Sequence, residues 1–253
     1  MAEKQIHQRY IRKLTMLIAT NITKKYQGKE ILKGIDITVE PGKITSLIGP
    51  SGGGKTTLLR VLSMLDLPDS GVIALDSEQY EFPLKNNKIN PPWPRVSVVF
   101  QQLFLWPHLT MRENILLPLK GNIDLKHITE LIDILQMGEF INRYPNQASH
   151  GQKQRVALAR ALALNPEYLL LDEITSALDI EQVNVILNHL QVLRDKGVGI
   201  LIVTHLLNFA ERASDNIVFL DEGKVIESGG KNILEKPKHK RIQKFLSIVK
   251  AAT

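Results

Sequence analysis

Three groups of residues in this chain have the types and spacing to handle a polyphosphate. Gly49-Pro50-Ser51-Gly52-Gly53-Gly54-Lys55-Thr56 satisfies the pattern G-x-x-x-x-G-K-[ST]. Its glycines let successive backbone N–H groups turn toward one anion with no Cβ in the way, and a helix starting there adds the positive end of its dipole. Lys55 would reach the β- and γ-phosphates as a mobile point charge, and the Thr56 hydroxyl would be a ligand of Mg²⁺. The second group is Asp172-Glu173, directly after the run Tyr168-Leu169-Leu170-Leu171. Carboxylates at the carboxyl end of a buried strand sit where open α/β sheets place ligands. Asp172 can hold Mg²⁺, directly or through water, while Glu173, pointing the other way, can polarise an attacking water as general base. The third is His205, just after Gly199–Val203, where a neutral imidazole could hydrogen-bond a terminal phosphate oxygen. Taken alone, a histidine there is more often structural; the phosphate loop and carboxylates in the same chain give it a task.

These groups need elements to carry them. Residues 16–23 and 35–39 read as strands, with a turn at Glu40-Pro41-Gly42-Lys43. A buried-type strand, Ile44–Ile48, leads into the glycine loop, and a helix over 55–65 follows, with Leu58, Leu59, Leu62 and Leu65 at helical spacing. The short apolar strands Tyr168–Leu171 and Gly199–Val203 are each followed by a polar turn and a helix, the βαβ alternation of a parallel sheet covered on both faces. Residues 103–165 differ: helical patterns over 111–117, 126–136 and 152–164, broken at Pro107, Pro118, Gly138 and Pro145, predict a helical subdomain inserted into the α/β body. Residues 77–94, with Asn86-Asn87 and Asn90-Pro91-Pro92-Trp93-Pro94, read as a variable loop, and residues 1–14 as a basic arm ahead of a main domain over 15–253.

Composition narrows the chemistry further. The 253 residues contain no Cys, which excludes a disulfide scaffold, a thiolate metal site and a Cys nucleophile. The start, Met1 to Leu14, lacks the apolar stretch of a secretory signal, and apolar runs elsewhere fall far short of the roughly 20 residues needed to span a bilayer. The net charge of +6 sits at the ends: residues 1–13 carry four basic residues against one acidic, residues 231–253 seven against one, and the remaining body 21 against 24. A mildly acidic body weakens an inference of nucleic-acid binding from bulk charge. Over 238–250, Ile242, Phe245, Leu246 and Val249 share one helical face with lysines around it, either a helix docked on the body or a surface attracted to an anionic membrane.

In this order, and with Ser149-His150-Gly151-Gln152 ahead of a helix rich in Ala and Arg, the motifs resemble those of the ATP-binding-cassette (ABC) ATPases over roughly residues 16–250. The resemblance implies an α/β P-loop NTPase fold with a β-rich N-terminal part, a RecA-like parallel-sheet core and an inserted helical subdomain. It implies that Tyr26 stacks on adenine and that Gly49, Pro50, Ser51, Gly52, Gly53, Gly54, Lys55, Thr56 and Thr57 bind ATP. It makes Gln101 the glutamine that senses Mg²⁺ and the γ-phosphate, Asp172 and Glu173 the carboxylate pair, Ser176–Asp179 the D-loop and His205 the switch histidine. Lys55, Gln101, Glu173 and His205 would carry catalysis; Thr56, Gln101 and Asp172 would hold Mg²⁺. Ser149, His150, Gly151 and Gln152 would reach across a head-to-tail dimer to the partner's γ-phosphate.

Two positions depart from the family's Leu-Ser-Gly-Gly-Gln: Ala148 stands for Leu and His150 for Gly. Ser149, Gly151 and Gln152 are retained, so competence with altered affinity or rate is expected, against the contrary reading of a distorted anion nest. Ile174 stands where the family has Pro and carries little functional weight. The stretch Gln101–Thr110, with Phe104 and Trp106, resembles the segment of importer ATPases that receives a membrane subunit; the alternative is that both aromatics pack the subdomain core. Tyr144-Pro145-Asn146-Gln147, Ala159–Pro166, Pro237–Lys240 and Phe245-Leu246 resemble the polar amino-acid uptake branch. By that resemblance the chain is the ATP-hydrolysing subunit of an importer, peripheral on the cytoplasmic face of the inner membrane. Its partners would be a second copy, permease subunits and an extracytoplasmic solute-binding protein, with no nucleic acid. An exporter subunit, or an ABC ATPase acting on nucleic acid or ribosomes, is the alternative.

Overall fold

The computed structural model describes residues 16–85, 89–119, 121, 123–175 and 180–252. The expected arm over 1–14 and the D-loop Ser176–Asp179 lie outside them. Two sheets organise the described chain. β1 (Leu17–Tyr26), β2 (Lys29–Val39), β4 (Ser70–Leu75) and β5 (Glu78–Phe82) form a four-stranded antiparallel sheet in the order β2-β1-β4-β5. The second has six strands in the order β10-β9-β3-β8-β7-β6: β3 (Ile44–Ile48), β6 (Val96–Val99), β7 (Tyr168–Asp172), β8 (Gly199–Val203) and β9 (Asn216–Asp221) run parallel, and β10 (Lys224–Gly229) closes one edge antiparallel.

β3, β7 and β8 are buried at all five positions, so their sequences show no polar alternation. The two faces nevertheless pack into different cores. Leu169, Leu171, Ile200 and Ile202 join the helical side, and Tyr168, Leu170, Leu201 and Val203 join the side shared with the antiparallel sheet and helix α1 (Lys55–Leu62). A third cluster packs Ile242, Phe245 and Leu246 of the last helix against Ile48, Ile217 and Phe219.

Between β6 and β7 the described chain contains helices and turns: α2 (Met111–Leu116), a 3₁₀ turn at Leu117–Leu119, α3 (Leu125–Ile134), another at Pro145–Gln147, and α4 (His150–Leu162). Side-chain caps set their starts. Thr110 and Glu113 form a capping box on α2, Asp124 accepts from the His127 amide on α3, and Ser149 with Gln152 boxes α4, which therefore starts two residues before the periodicity alone indicates. After β7 come α5 (Ile180–Asp195), α6 (Leu207–Ala213), α7 (Asn232–Glu235) and α8 (Lys240–Ala252).

Three expectations need correction. The first strand runs on to Tyr26 and the second starts at Lys29, because Gln27 and Gly28 both take positive φ (+49° and +79°) and make a tight hairpin turn. The stretch 77–94 opens with a strand, β5, paired to β4 from Leu75↔Glu78 to Gly71↔Phe82; its mostly exposed side chains had masked the pairing. The helix after the glycine loop stops at Leu62, where the Ser63 hydroxyl bonds back to Leu59 O and Met64 turns left-handed (φ +55°). Leu65, placed on its apolar face by spacing, is exposed.

At the start of β7, Tyr168 is buried with its hydroxyl unpartnered among the described residues, and burial pushes its pKa up to about 12. A Cβ on Gly199 of β8 would lie 2.7 Å from the Tyr168 ring. Tyr168→Phe should therefore leave stability unchanged or raise it, since it removes a buried group without a partner. Gly199→Ala should lower it by about 1–3 kcal/mol through overpacking. Urea denaturation of the two variants checks both signs.

Candidate phosphate-binding site

β3 delivers the chain into the glycine loop against β9. A Cβ on Gly49 (φ +144°) would fall 2.0 Å from Leu220 O, so only glycine lets the loop pass this strand. Gly52 (φ +76°) and Gly54 (φ +103°) adopt the left-handed conformation that turns peptide groups around one centre. Gly54 is the N-cap of α1 and offers no side-chain cap, and the first turn carries no acidic residue. The N–H groups and dipole of that turn are thus left for an anion.

Lys55 is only 6% exposed, and its Nζ donates to Gly49 O (2.9 Å) and Pro50 O (2.8 Å). Burial pushes its pKa down, while the negative charges of Glu173, Asp172 and Asp221 oppose that shift. The ammonium thus rests on its own loop, held by contacts that a phosphate oxygen can replace. Asp172, 3% exposed at the end of β7, has its pKa pushed up by burial; hydrogen bonding to the Thr56 hydroxyl acts against this. Its Oδ1 has no partner among the described residues.

Glu173 takes a left-handed backbone (φ +51°), costing about 1 kcal/mol or more for a non-glycine residue, while its N–H donates to Val203 O at 3.0 Å. That kink separates the two adjacent carboxylates and carries Glu173 to β8, where His205 Nε2 donates to Oε1 at 2.6 Å. The sequence had assigned these side chains separately, one to water and one to phosphate; the structure joins them. Tyr26 is held through its hydroxyl, which donates to Asp66 Oδ2. The Arg60 guanidinium keeps Asp66 down at about 2. Lys24 Nζ lies 5.2 Å from the Tyr26 ring centroid.

Tyr26, Ser51, Gly52, Gly54, Lys55, Thr56, Thr57, Glu173 and His205 line one open cleft of roughly 400 Å³, joined by Lys29 and Ile31, which the sequence had not singled out. The hairpin turn at Gln27-Gly28 brings those two in. Asp221 was also missed, since nothing near it in sequence ties it to Lys55. Gln101 lies beyond β6, exposed, and is not among the residues lining this cleft. Nor are Ser149, His150, Gly151 and Gln152. Ser149 Oγ accepts from Gln152 N (3.2 Å), and the Ser149 N–H donates to Gln152 Oε1 (3.0 Å). His150 is the first residue of α4, without positive φ, so its Cβ brings no backbone strain to this turn. Phe104 and Trp106 are 56% and 51% exposed, which sets aside their packing in the helical core.

Buried Asp172 beside the Thr56 hydroxyl presents hard oxygen donors that fit Mg²⁺. The loop N–H groups and Lys55 fit a polyphosphate, and Glu173 with His205 forms an acid–base pair at its far end.

Comparison with known proteins places the chain in a family. Residues 32–176 match the model of the family described as ABC transporter. The chain is 38% identical over 244 residues to the L-cystine import ATP-binding protein of Bacillus subtilis (strain 168), covering 92% of this chain and 98% of that one. It is 36% identical to the glutamine transport ATP-binding protein of Escherichia coli (strain K12), covering 92% and 100%. The dimeric structure of MJ0796, a bacterial ABC transporter cassette, superposes with a TM-score of 0.76 at 32% identity, and a dimeric post-hydrolysis state of the same cassette, bound to ADP and Pi, with 0.75 at 31%, each covering 85% of this chain and 98% of the other.

Asp172→Asn removes a charge that burial disfavours, so the ligand-free variant should melt about 2–4 °C higher. The sign follows from the raised pKa: wild-type stability gains as pH falls through that value, and the variant lacks this gain. The upward shift that Mg²⁺ and ATP give the parent should vanish. Thermal unfolding with and without Mg²⁺-ATP across pH measures all three.

Proposed function

Since this chain belongs to the ABC transporter family, we propose that it is the ATP-hydrolysing subunit of an importer of polar amino acids. Two copies would act head to tail beneath membrane permease subunits at the cytoplasmic face of the inner membrane, served by an extracytoplasmic solute-binding protein. The observation that carries the ATPase reading is the convergence of the glycine loop, Asp172, Glu173 and His205 on one edge of the parallel sheet. Amino-acid cargo rests on the names of the relatives, which import or transport L-cystine and glutamine. Among the described residues no helix is long and apolar enough to cross a membrane. The exposed Phe104 and Trp106 are proposed as part of the surface that a permease subunit covers.

The roles follow from the chemistry of each group. Loop N–H groups and the first turn of α1 hold the β- and γ-phosphates, and Tyr26 stacks on adenine. Lys55 exchanges its two loop carbonyls for phosphate oxygens. Thr56, Asp172 and Gln101 would hold Mg²⁺, which when bound would supply positive charge against the charge developing on the phosphate. Glu173 accepts the proton of the attacking water, and His205 hydrogen-bonds the γ-phosphate after leaving Glu173. Ser149 and Gly151 of the second copy close the site from the other side. Water attack releases ADP and inorganic phosphate, and the loss of bridging contacts loosens the pair.

Assembled with its membrane subunits, the parent chain should hydrolyse ATP in the presence of Mg²⁺. Glu173→Gln should reduce the rate by about 10²- to 10⁴-fold while keeping ATP binding. A parent rate no higher than that of Glu173→Gln overturns the proposal that the Ala148 and His150 signature is competent. Uptake of labelled cystine, arginine or glutamine into vesicles containing the complex, against a sugar control, tests the cargo.

A further inference from the structure

We propose that Arg241, on the C-terminal helix, is a positioning residue for the phosphate loop, holding Asp221 so that this buried carboxylate neither competes for Lys55 nor repels an arriving polyphosphate. The inference rests on the loop being the ATP site. Asp221 ends β9, and β9 is the floor of that loop. A Cβ on Gly53 would lie 3.2 Å from Leu220 O and 3.7 Å from Asp221 Cα, and the Gly223 N–H donates to Gly53 O at 3.1 Å. The Asp221 side chain is only 8% exposed, and its negative charge acts on Lys55.

Arg241 Nε lies 2.5 Å from Asp221 Oδ2. It does so from a packed element. Ile242, Phe245 and Leu246 are buried, and the Phe245 ring meets Phe219, two residues before Asp221, edge-to-face at 5.2 Å. The start of α8 is held as well: the Lys238 and His239 N–H groups donate to Glu227 Oε2, and the Arg241 N–H donates to His239 Nδ1. Helix α8 thus presents a fixed cation to the back of the phosphate loop.

Two cations feel this carboxylate: Arg241 pairs with it directly, and Lys55, with no direct ion pair to it, feels it through its charge alone. When phosphates arrive, Lys55 is drawn forward and its attraction for Asp221 weakens. With Arg241 in place Asp221 stays neutralised. Without it, a poorly hydrated carboxylate faces Lys55 from behind the loop, where it opposes both the advance of the lysine and the approach of negative charge. A residue about 190 positions from the glycine loop, between the branch-like stretches Pro237–Lys240 and Phe245-Leu246 but in neither, would therefore set nucleotide affinity.

The test titrates a fluorescent ATP analogue with Mg²⁺ against the full-length chain. Arg241→Gln should bind about five- to tenfold more weakly, and Arg241→Lys should recover most of the loss. Arg241→Gln combined with Asp221→Asn should return to within about twofold of the parent, because the offending charge is gone. A helix anchor alone would not be rescued in this way. Parent-like binding by Arg241→Gln, or a double variant as weak as the single one, overturns the proposal. If Arg241→Gln does not fold, the double variant decides: folded and binding like the parent supports it, while folded and weak, or unfolded, overturns it. A parent that does not bind the analogue sinks the ATP reading itself, whereas a binding parent with an indifferent Arg241→Gln sinks only this one.

Discussion

An ammonium kept charged while nearly out of water is the constraint from which much of this site follows. Lys55 loses hydration at the start of α1, and burial alone drives it toward the neutral form. Two loop carbonyls accept its hydrogen bonds, and three carboxylates oppose part of that shift. Each carboxylate must in turn be tolerated in a poorly hydrated place. Asp172 faces Thr56, Glu173 accepts a hydrogen bond from His205, and Asp221 pairs with the guanidinium of Arg241. The cleft at the glycine loop is thus lined by charges that compensate one another.

The parallel sheet makes that arrangement possible. β3, β7, β8 and β9 run in the same direction, so Gly49, Asp172, His205 and Asp221 emerge at one edge although they are spread over more than 170 residues. Burial of both faces holds the strand ends in place, with alternate side chains divided between the helical core and the core under the antiparallel sheet. The left-handed turn at Glu173 adds a local distortion, supported by its hydrogen bond to Val203, that aims the second carboxylate at His205 beyond the neighbouring strand.

Legibility in sequence varied with the range of the interactions involved. The strands Ile44–Ile48 and Gly199–Val203 were readable to the residue, because short runs rich in Ile, Leu and Val between turn signals leave few alternatives. α4 started early because the Ser149–Gln152 capping box, four residues long, was read as a ligand motif and not also as a helix start. β5 was missed because an edge strand with exposed side chains has no apolar alternation. Leu65 was misplaced because periodicity continues in sequence after Ser63 and Met64 have ended the helix in space. His150 shows the converse: its conspicuous departure from glycine costs no backbone strain, since the chain there is ordinary helix.

By itself the sequence determined the chemistry available: a glycine loop with Lys55 and Thr56, a carboxylate pair after a buried strand, a histidine after another, and no thiol. These are local facts, carried by side-chain type, by the special φ of glycine and by short spacings. Only the tertiary structure decided which groups touch: His205 with Glu173, Tyr26 with Asp66, Asp221 with Arg241, and Gln101 and Ser149 with none of the cleft. The physical reason is that such pairings join residues from separate elements. Strand order and the docking of α8 set their distances, and both depend on the burial of apolar surface far along the chain.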